Sequence, residues 1–127
     1  MFHYTVQTNK SPKQAISDLT ENLKEEKFGV LMDLNMKEKL HEKGVELNQL
    51  YHILEVCNPV EAEKVLSENA LVGYFLPCKI AVYEDQGATK IGMPKPTALI
   101  NFIENDKLST IAKDIEQRLI QCIDKSI

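Results

Sequence analysis

The chain has 127 residues, 43% apolar and 27% charged, with 15 lysines and arginines against 19 aspartates and glutamates, a formal charge of −4. One domain over 1–127 with a single core is expected at this length, and the acidic balance without a basic stripe argues against nucleic acid as a partner. No apolar run approaches the ~20 residues of a membrane span, no signal-peptide pattern opens the chain, and an odd three cysteines suit reduced thiols in a cytoplasmic setting better than a disulfide framework.

Phe2, Tyr4 and Val6 alternate with His3, Thr5 and Gln7, the period of a half-buried strand. Ser11-Pro12-Lys13-Gln14 then announces a helix, with Ser11 as cap, Pro12 in the first helical position and Gln14 completing a capping box. Ala15, Ile16, Leu19 and Leu23 form its apolar stripe, and Lys13, Asp18, Glu21 and Glu25 its solvated face. Residues 28–34 read as the second strand, with Phe28, Val30, Met32 and Leu34 on one side. Asn35 and Glu38 cap a short helix that Gly44 closes; with only Met36 and Leu40 apolar, that helix belongs at an edge.

The third strand is expected over 49–56, with Leu50, His52, Leu54 and Val56 on one face and Tyr51, Ile53 and Glu55 on the other. Asn58-Pro59-Val60-Glu61 repeats the capping logic, and Ala62, Val65 and Leu66 supply the buried face of the helix that follows. Residues 70–75 fit no single period. A strand over 78–84, a turn at 85–88 and a returning strand over 89–93 make a hairpin that Pro94 and Pro96 terminate. One or two helical turns occupy 97–103, and Leu108, Ile111, Ala112, Ile115, Leu119, Cys122 and Ile123 mark a long final helix. The order β-α-β-α-β-α-β-β-α implies an α+β domain, with helices over one face of a largely antiparallel sheet.

Chemistry concentrates at two places where regular structure changes type. Cys57 precedes a helix cap, where helix N-terminal amides stabilise a thiolate, and Cys78 opens the next strand. Two neighbouring strands would let the sulfurs converge, on a small ligand or on a soft metal ion such as zinc. The alternative is that both thiols are packed as small hydrophobes, as Cys122 is on its helical stripe. Zinc needs three or four ligands, and no Cys-x-x-Cys or His-x-x-x-His supplies them; His3, His41 and His52 are scattered, and His52 lies an odd number of residues from Cys57. Tyr51, Tyr83 and Glu84 are candidates for a cleft lining, and Glu55 with Glu84 for a carboxylate pair if their strands align. No Gly-x-Gly-x-x-Gly, phosphate loop or Gly-x-Ser-x-Gly is present.

The segments Tyr51-His52-Ile53-Leu54-Glu55-Val56-Cys57-Asn58-Pro59 and Leu76-Pro77-Cys78-Lys79-Ile80-Ala81-Val82-Tyr83-Glu84 resemble the signature of domain-of-unknown-function family 302. Phe28-Gly29-Val30-Leu31 and Met93-Pro94-Lys95-Pro96 add to the similarity, which spans nearly the whole chain. The resemblance implies a fold like that of a TATA-binding-protein repeat, with a curved antiparallel sheet and a long C-terminal helix. It also implies a homodimer, and Cys57, Asn58, Pro59, Pro77, Cys78, Tyr83 and Glu84 as site residues, but no established activity. Three readings follow: a dimeric binding module for a small ligand or soft metal ion near Cys57 and Cys78, a thiol-dependent enzyme or redox sensor using Cys57, and an interaction module whose motif residues serve packing and capping.

Overall fold

In the computed structural model, which describes residues 1–127, the strands are β1 (His3–Thr8), β2 (Gly29–Asn35), β3 (Tyr51–Cys57), β4 (Cys78–Asp85) and β5 (Ala88–Pro94). The helices are α1 (Pro12–Glu25), α2 (Met36–Glu42), α3 (Pro59–Glu68), α4 (Pro96–Ile100) and α5 (Asp106–Asp124), with a 3-10 helix at Ala70–Phe75. The five strands form one open sheet in the order β1-β5-β4-β3-β2, and every neighbouring pair is antiparallel. Its centre is set by a tight hairpin. Asp85 pairs with Ala88, so the turn holds only Gln86 and Gly87, both at positive φ (52° and 82°), the backbone twist that two antiparallel strands require of a two-residue turn.

The capping residues fix the helix starts as the sequence implies, but the reciprocal half of the boxes is not made: Gln14 turns to Asp18 (2.8 Å), and Glu61 to Lys64 (3.3 Å) and Arg118 (3.5 Å). Ser11, Asn35 and Asn58 each accept a hydrogen bond from a first-turn amide, at Gln14, Glu38 and Val60 respectively. The chain leaves β1 at one edge of the sheet, crosses it as α1, and enters β2 at the other edge. Ala15, Leu19 and Leu23 of α1 and Leu108, Ala112, Ile115, Leu119 and Ile123 of α5 meet Leu54, Val56, Ile80, Val82, Ile91 and Met93 of the sheet in one core. Tyr4 on β1 donates a 2.5 Å hydrogen bond to Asp124, tying that edge strand to the end of α5. The helix α2 buries nothing, as its thin apolar content implies.

Several expectations are corrected. Phe2 lies outside β1 and is exposed. The alternation proposed for 28–34 fails at a bulge between Val30 and Met32. The extra residue reverses the facing pattern, so Met32 is 51% exposed and Asp33 takes the place opposite Leu54. The third strand begins at Tyr51; Gln49 instead sends its Nε2 to the Glu84 carbonyl, 2.7 Å away. On α3 only Val65 is buried, whereas Leu66 is 42% exposed and lies over Gly73 of the 3-10 helix. The region 97–103, by contrast, makes the short helix expected of it, α4, with Ile100 inside.

This distribution separates two leucines that sequence treats alike. Leu54→Ala removes a side chain with no solvent contact and is expected to cost about 2–5 kcal/mol of unfolding free energy. Leu66→Ala is expected to cost under about 1 kcal/mol, since most of its loss is from partly wet surface. Urea titrations of the two variants check the ordering.

Candidate functional site

The two-cysteine end of the sheet is assembled by β3, α3 and β4. Cys57 closes β3, and Asn58 behind it is buried. Asn58 Oδ1 accepts from the amides of Val60 (3.1 Å) and Glu61 (3.2 Å), and its Nδ2 donates to the Glu26 carbonyl (3.3 Å). Asn58 therefore caps one helix while satisfying the C-terminal end of another. Pro59 occupies the first turn of α3 and is exposed, while Pro77, joined to Leu76 by a cis peptide, leads into Cys78 at the start of β4.

Register decides how the thiols relate. Cys78 pairs across the ladder with Val56, so Cys57 stands one residue further on, and strand alternation directs the two side chains to opposite faces. Both residues border a small cleft of about 30 Å³ with Phe28, Asn58 and Leu76, yet all three cysteines are unpaired. Cys78 sits among apolar atoms. Burial, with a smaller contribution from Cys57, pushes its pKa up to about 11, so it is a neutral thiol at physiological pH. No group of three or more His, Cys, Asp or Glu side chains is arranged to hold a metal ion. The histidines are engaged separately: His52 with Asp33 (2.7 Å), His41 with Glu46 (2.6 Å) and His3 with Thr5 (2.9 Å).

The remaining predicted residues lie elsewhere. Tyr83 stands opposite Tyr51 on the face of the sheet away from α1 and α5, their rings stacked with centroids 4.8 Å apart. Burial, then the neighbouring Tyr83, raises the Tyr51 pKa. Glu84 is six residues beyond Cys78, about 20 Å along the strand. Glu55 pairs with Lys79 (2.9 Å) and not with Glu84, because register places Lys79 opposite it. Cys57, Asn58, Pro59, Pro77 and Cys78 are thus brought to one end, while Tyr83 and Glu84 are not part of that cluster.

Two features escape sequence reasoning. Arg118 on α5 reaches the Glu26 carboxylate (3.1 Å), the Glu26 carbonyl (2.8 Å), Asp114 (3.4 Å) and Glu61 (3.5 Å), with its guanidinium over the Phe28 ring. Burial opposes its charge, but these carboxylates outweigh it and raise its pKa. Only the Asp114–Arg118 spacing of four was visible in the sequence. The second feature is a cavity of about 230 Å³ on the helix side of Cys78, with 12 hydrophobic residues among the 15 that line it. It lies among the 3-10 helix, α4, α5 and the adjoining ends of β4 and β5, elements remote in sequence.

An open antiparallel sheet with its two longest helices on one side defines a two-layer α+β protein. The chain belongs to the family described as "Domain of unknown function DUF302", which matches residues 4–126, so the resemblance carried by the Cys-Asn-Pro and Leu-Pro-Cys segments holds. It is similar to a solved structure, "Crystal structure of uncharacterized conserved protein DUF302 from Bacillus stearothermophilus". The two are 53% identical with a TM-score of 0.97, over 100% of this chain and 99% of that one. No curated protein matches. No helix is long and apolar enough to cross a membrane.

Two expectations follow from the geometry. Asn58→Ala removes a cap and leaves the Glu26 carbonyl short of a donor; a loss of about 1–3 kcal/mol in urea unfolding is expected. Because its raised pKa favours the neutral form, Cys78 is expected to carry about 100-fold less thiolate at pH 8 than an unperturbed cysteine. Its alkylation should accelerate only as pH climbs toward 11. Mass-resolved iodoacetamide labelling across pH on a Cys122→Ala background measures this.

Proposed function

We propose that this protein is a homodimeric binding module, self-associating through the sheet face that α1 and α5 leave uncovered and holding a small ligand at its two-cysteine end. The observation that carries the reading is the composition of that uncovered face. Tyr51 and Tyr83 stack at its middle, flanked by Ile53, Ala81 and Gly92, and a side chain on Gly92 would collide with the Thr5 hydroxyl, 2.7 Å from where its Cβ would stand. The charges there are paired locally, Lys79 with Glu55 and Lys90 with Asp85, each at 2.9 Å. A second copy of such a face meets apolar surface without net repulsion, and a two-fold contact is self-complementary by construction.

For the ligand, a small organic molecule is better supported than a soft metal ion, since alternation separates the Cys57 and Cys78 side chains and no third ligand stands beside them. Unpaired thiols support a cytosolic setting.

Light scattering tests the assembly. At 50 µM the protein is expected at twice the 14.4 kDa chain mass, and Ile53→Asp, which puts an unpaired charge on the face, at the monomer mass with an unchanged circular dichroism spectrum. A wild-type protein that stays monomeric at that concentration contradicts the self-association reading.

A further inference from the structure

We infer that the cavity behind Cys78 is a binding site for a free, uncharged and largely apolar small molecule, about the size of a substituted single ring. The inference rests on the ligand-binding half of the function proposed above and is independent of self-association. Protein interiors are packed to crystal density and leave few voids larger than a water molecule. A recess of about 230 Å³ that opens at the Tyr74 rim, with 12 hydrophobic residues among the 15 lining it, is therefore apolar surface left without a packing partner. Its lining forfeits dispersion contacts that an occupant of matching shape would restore. An apolar cavity of ~150 Å³ stays dry and accepts benzene, so this one suits a ligand of roughly ten non-hydrogen atoms.

The walls specify the chemistry. Ala112 and Ile115 come from α5, Ile100 from α4, Val72 and Phe75 from the 3-10 helix, and Met93 from the sheet. No buried side-chain nitrogen or oxygen lacks a hydrogen-bond partner, so within the walls no buried polar side chain awaits one from a ligand, and the Tyr74 hydroxyl stands at the exposed rim. A ligand carboxylate or ammonium would lose its water without compensation. Lys79, the only charged residue of the lining, already has its ammonium 2.9 Å from Glu55. The Cys78 thiol, neutral and at most a weak donor, can accept a ring or alkyl surface and contribute a soft contact to it.

The occupant is a free molecule and not a second copy of this chain. The space opens on the helix side, among elements packed on one another, while the stacked tyrosines and paired charges that favour self-association lie on the other face. Access is through the 3-10 helix. Of its six residues only Val72 is buried, and Tyr74, 83% exposed, stands at the rim. Two turns of 3-10 helix have poorer hydrogen-bond geometry than an α-helix, so this wall opens more readily than the others.

The test is a titration of the intact protein with indole and, separately, with benzoate, followed by methyl NMR of the isoleucines. Indole is expected to bind saturably and shift the Ile100 and Ile115 methyl signals, with benzoate at least tenfold weaker. Ala112→Leu fills the space from α5 and should weaken indole at least tenfold, and Val72→Phe fills it from the opposite wall should the first variant not fold. Ile53→Asp is expected to bind indole as the wild type does, even if the wild type proves monomeric. Absence of saturable indole binding, equal binding of benzoate, or unchanged affinity in a folded cavity-filling variant would each overturn the assignment. So would loss of binding in Ile53→Asp alone, which would make the second copy part of the site.

Discussion

The carbonyl oxygen of Glu26 sits where α1 ends, and a helix C-terminus presents carbonyls with no partner inside the helix and a partial negative charge. Two donors converge on it: the Arg118 guanidinium from α5 at 2.8 Å and the Asn58 amide from the cap of α3 at 3.3 Å. Three helices that are remote in sequence are thereby fixed at a single atom, and the same Arg118 lies across Phe28, the residue that leads into β2. The cluster is not an isolated buried ion pair. Glu26, Glu61 and Asp114 all approach the guanidinium, and part of each remains wet, so the desolvation penalty is shared with solvent. The position of β3's end relative to α3, and with it the setting of Cys57, depends on this junction.

The two sides of the sheet have divergent chemistry. Toward the helices there is hydrocarbon from Leu54 to Met93, and the one thiol contributed there by β4 is held neutral by its surroundings. On the other side, aromatic rings and paired charges alternate, a composition suited to contact with another surface. A strand serves both because successive side chains point opposite ways. The same alternation places Tyr83 and Glu84, adjacent in sequence, on different faces, and it separates Cys57 from Cys78.

What the sequence disclosed was what local chemistry controls. Ser11, Asn35 and Asn58 were legible as caps because a cap is a relation between residues two or three apart. The alternation of β3 and β4 and the stripes of α1 and α5 were legible for the same reason. The bulge at Val30–Met32 was not, since an extra residue shows only against the partner strand. Leu66 read as core because its spacing from Ala62 is helical, but Gly73 lies beneath it, and nothing near Leu66 in sequence says so. The site depended on register still more strongly. The sequence left open whether the strands of Cys57 and Cys78 are neighbours and expected their thiols to converge if so; the strands are neighbours, but a single residue of offset turns the two side chains apart. The cavity, bounded by elements from Val65 to Leu119, had no local signal at all.

The hairpin turn at Gln86–Gly87 has a temporal consequence. It closes the β4–β5 pair across two residues, whereas β1 must find β5 across more than eighty, His3 lying opposite Pro94. Closing so long a loop carries an entropic cost that only the finished ladder repays. During synthesis β1 precedes β5, its partner in the sheet, by some eighty residues, and its tie to Asp124 comes about thirty residues later still. Until β5 has been made, β1 is a strand without its sheet partner, and an unpaired edge of that kind depends on its surroundings to stay unaggregated.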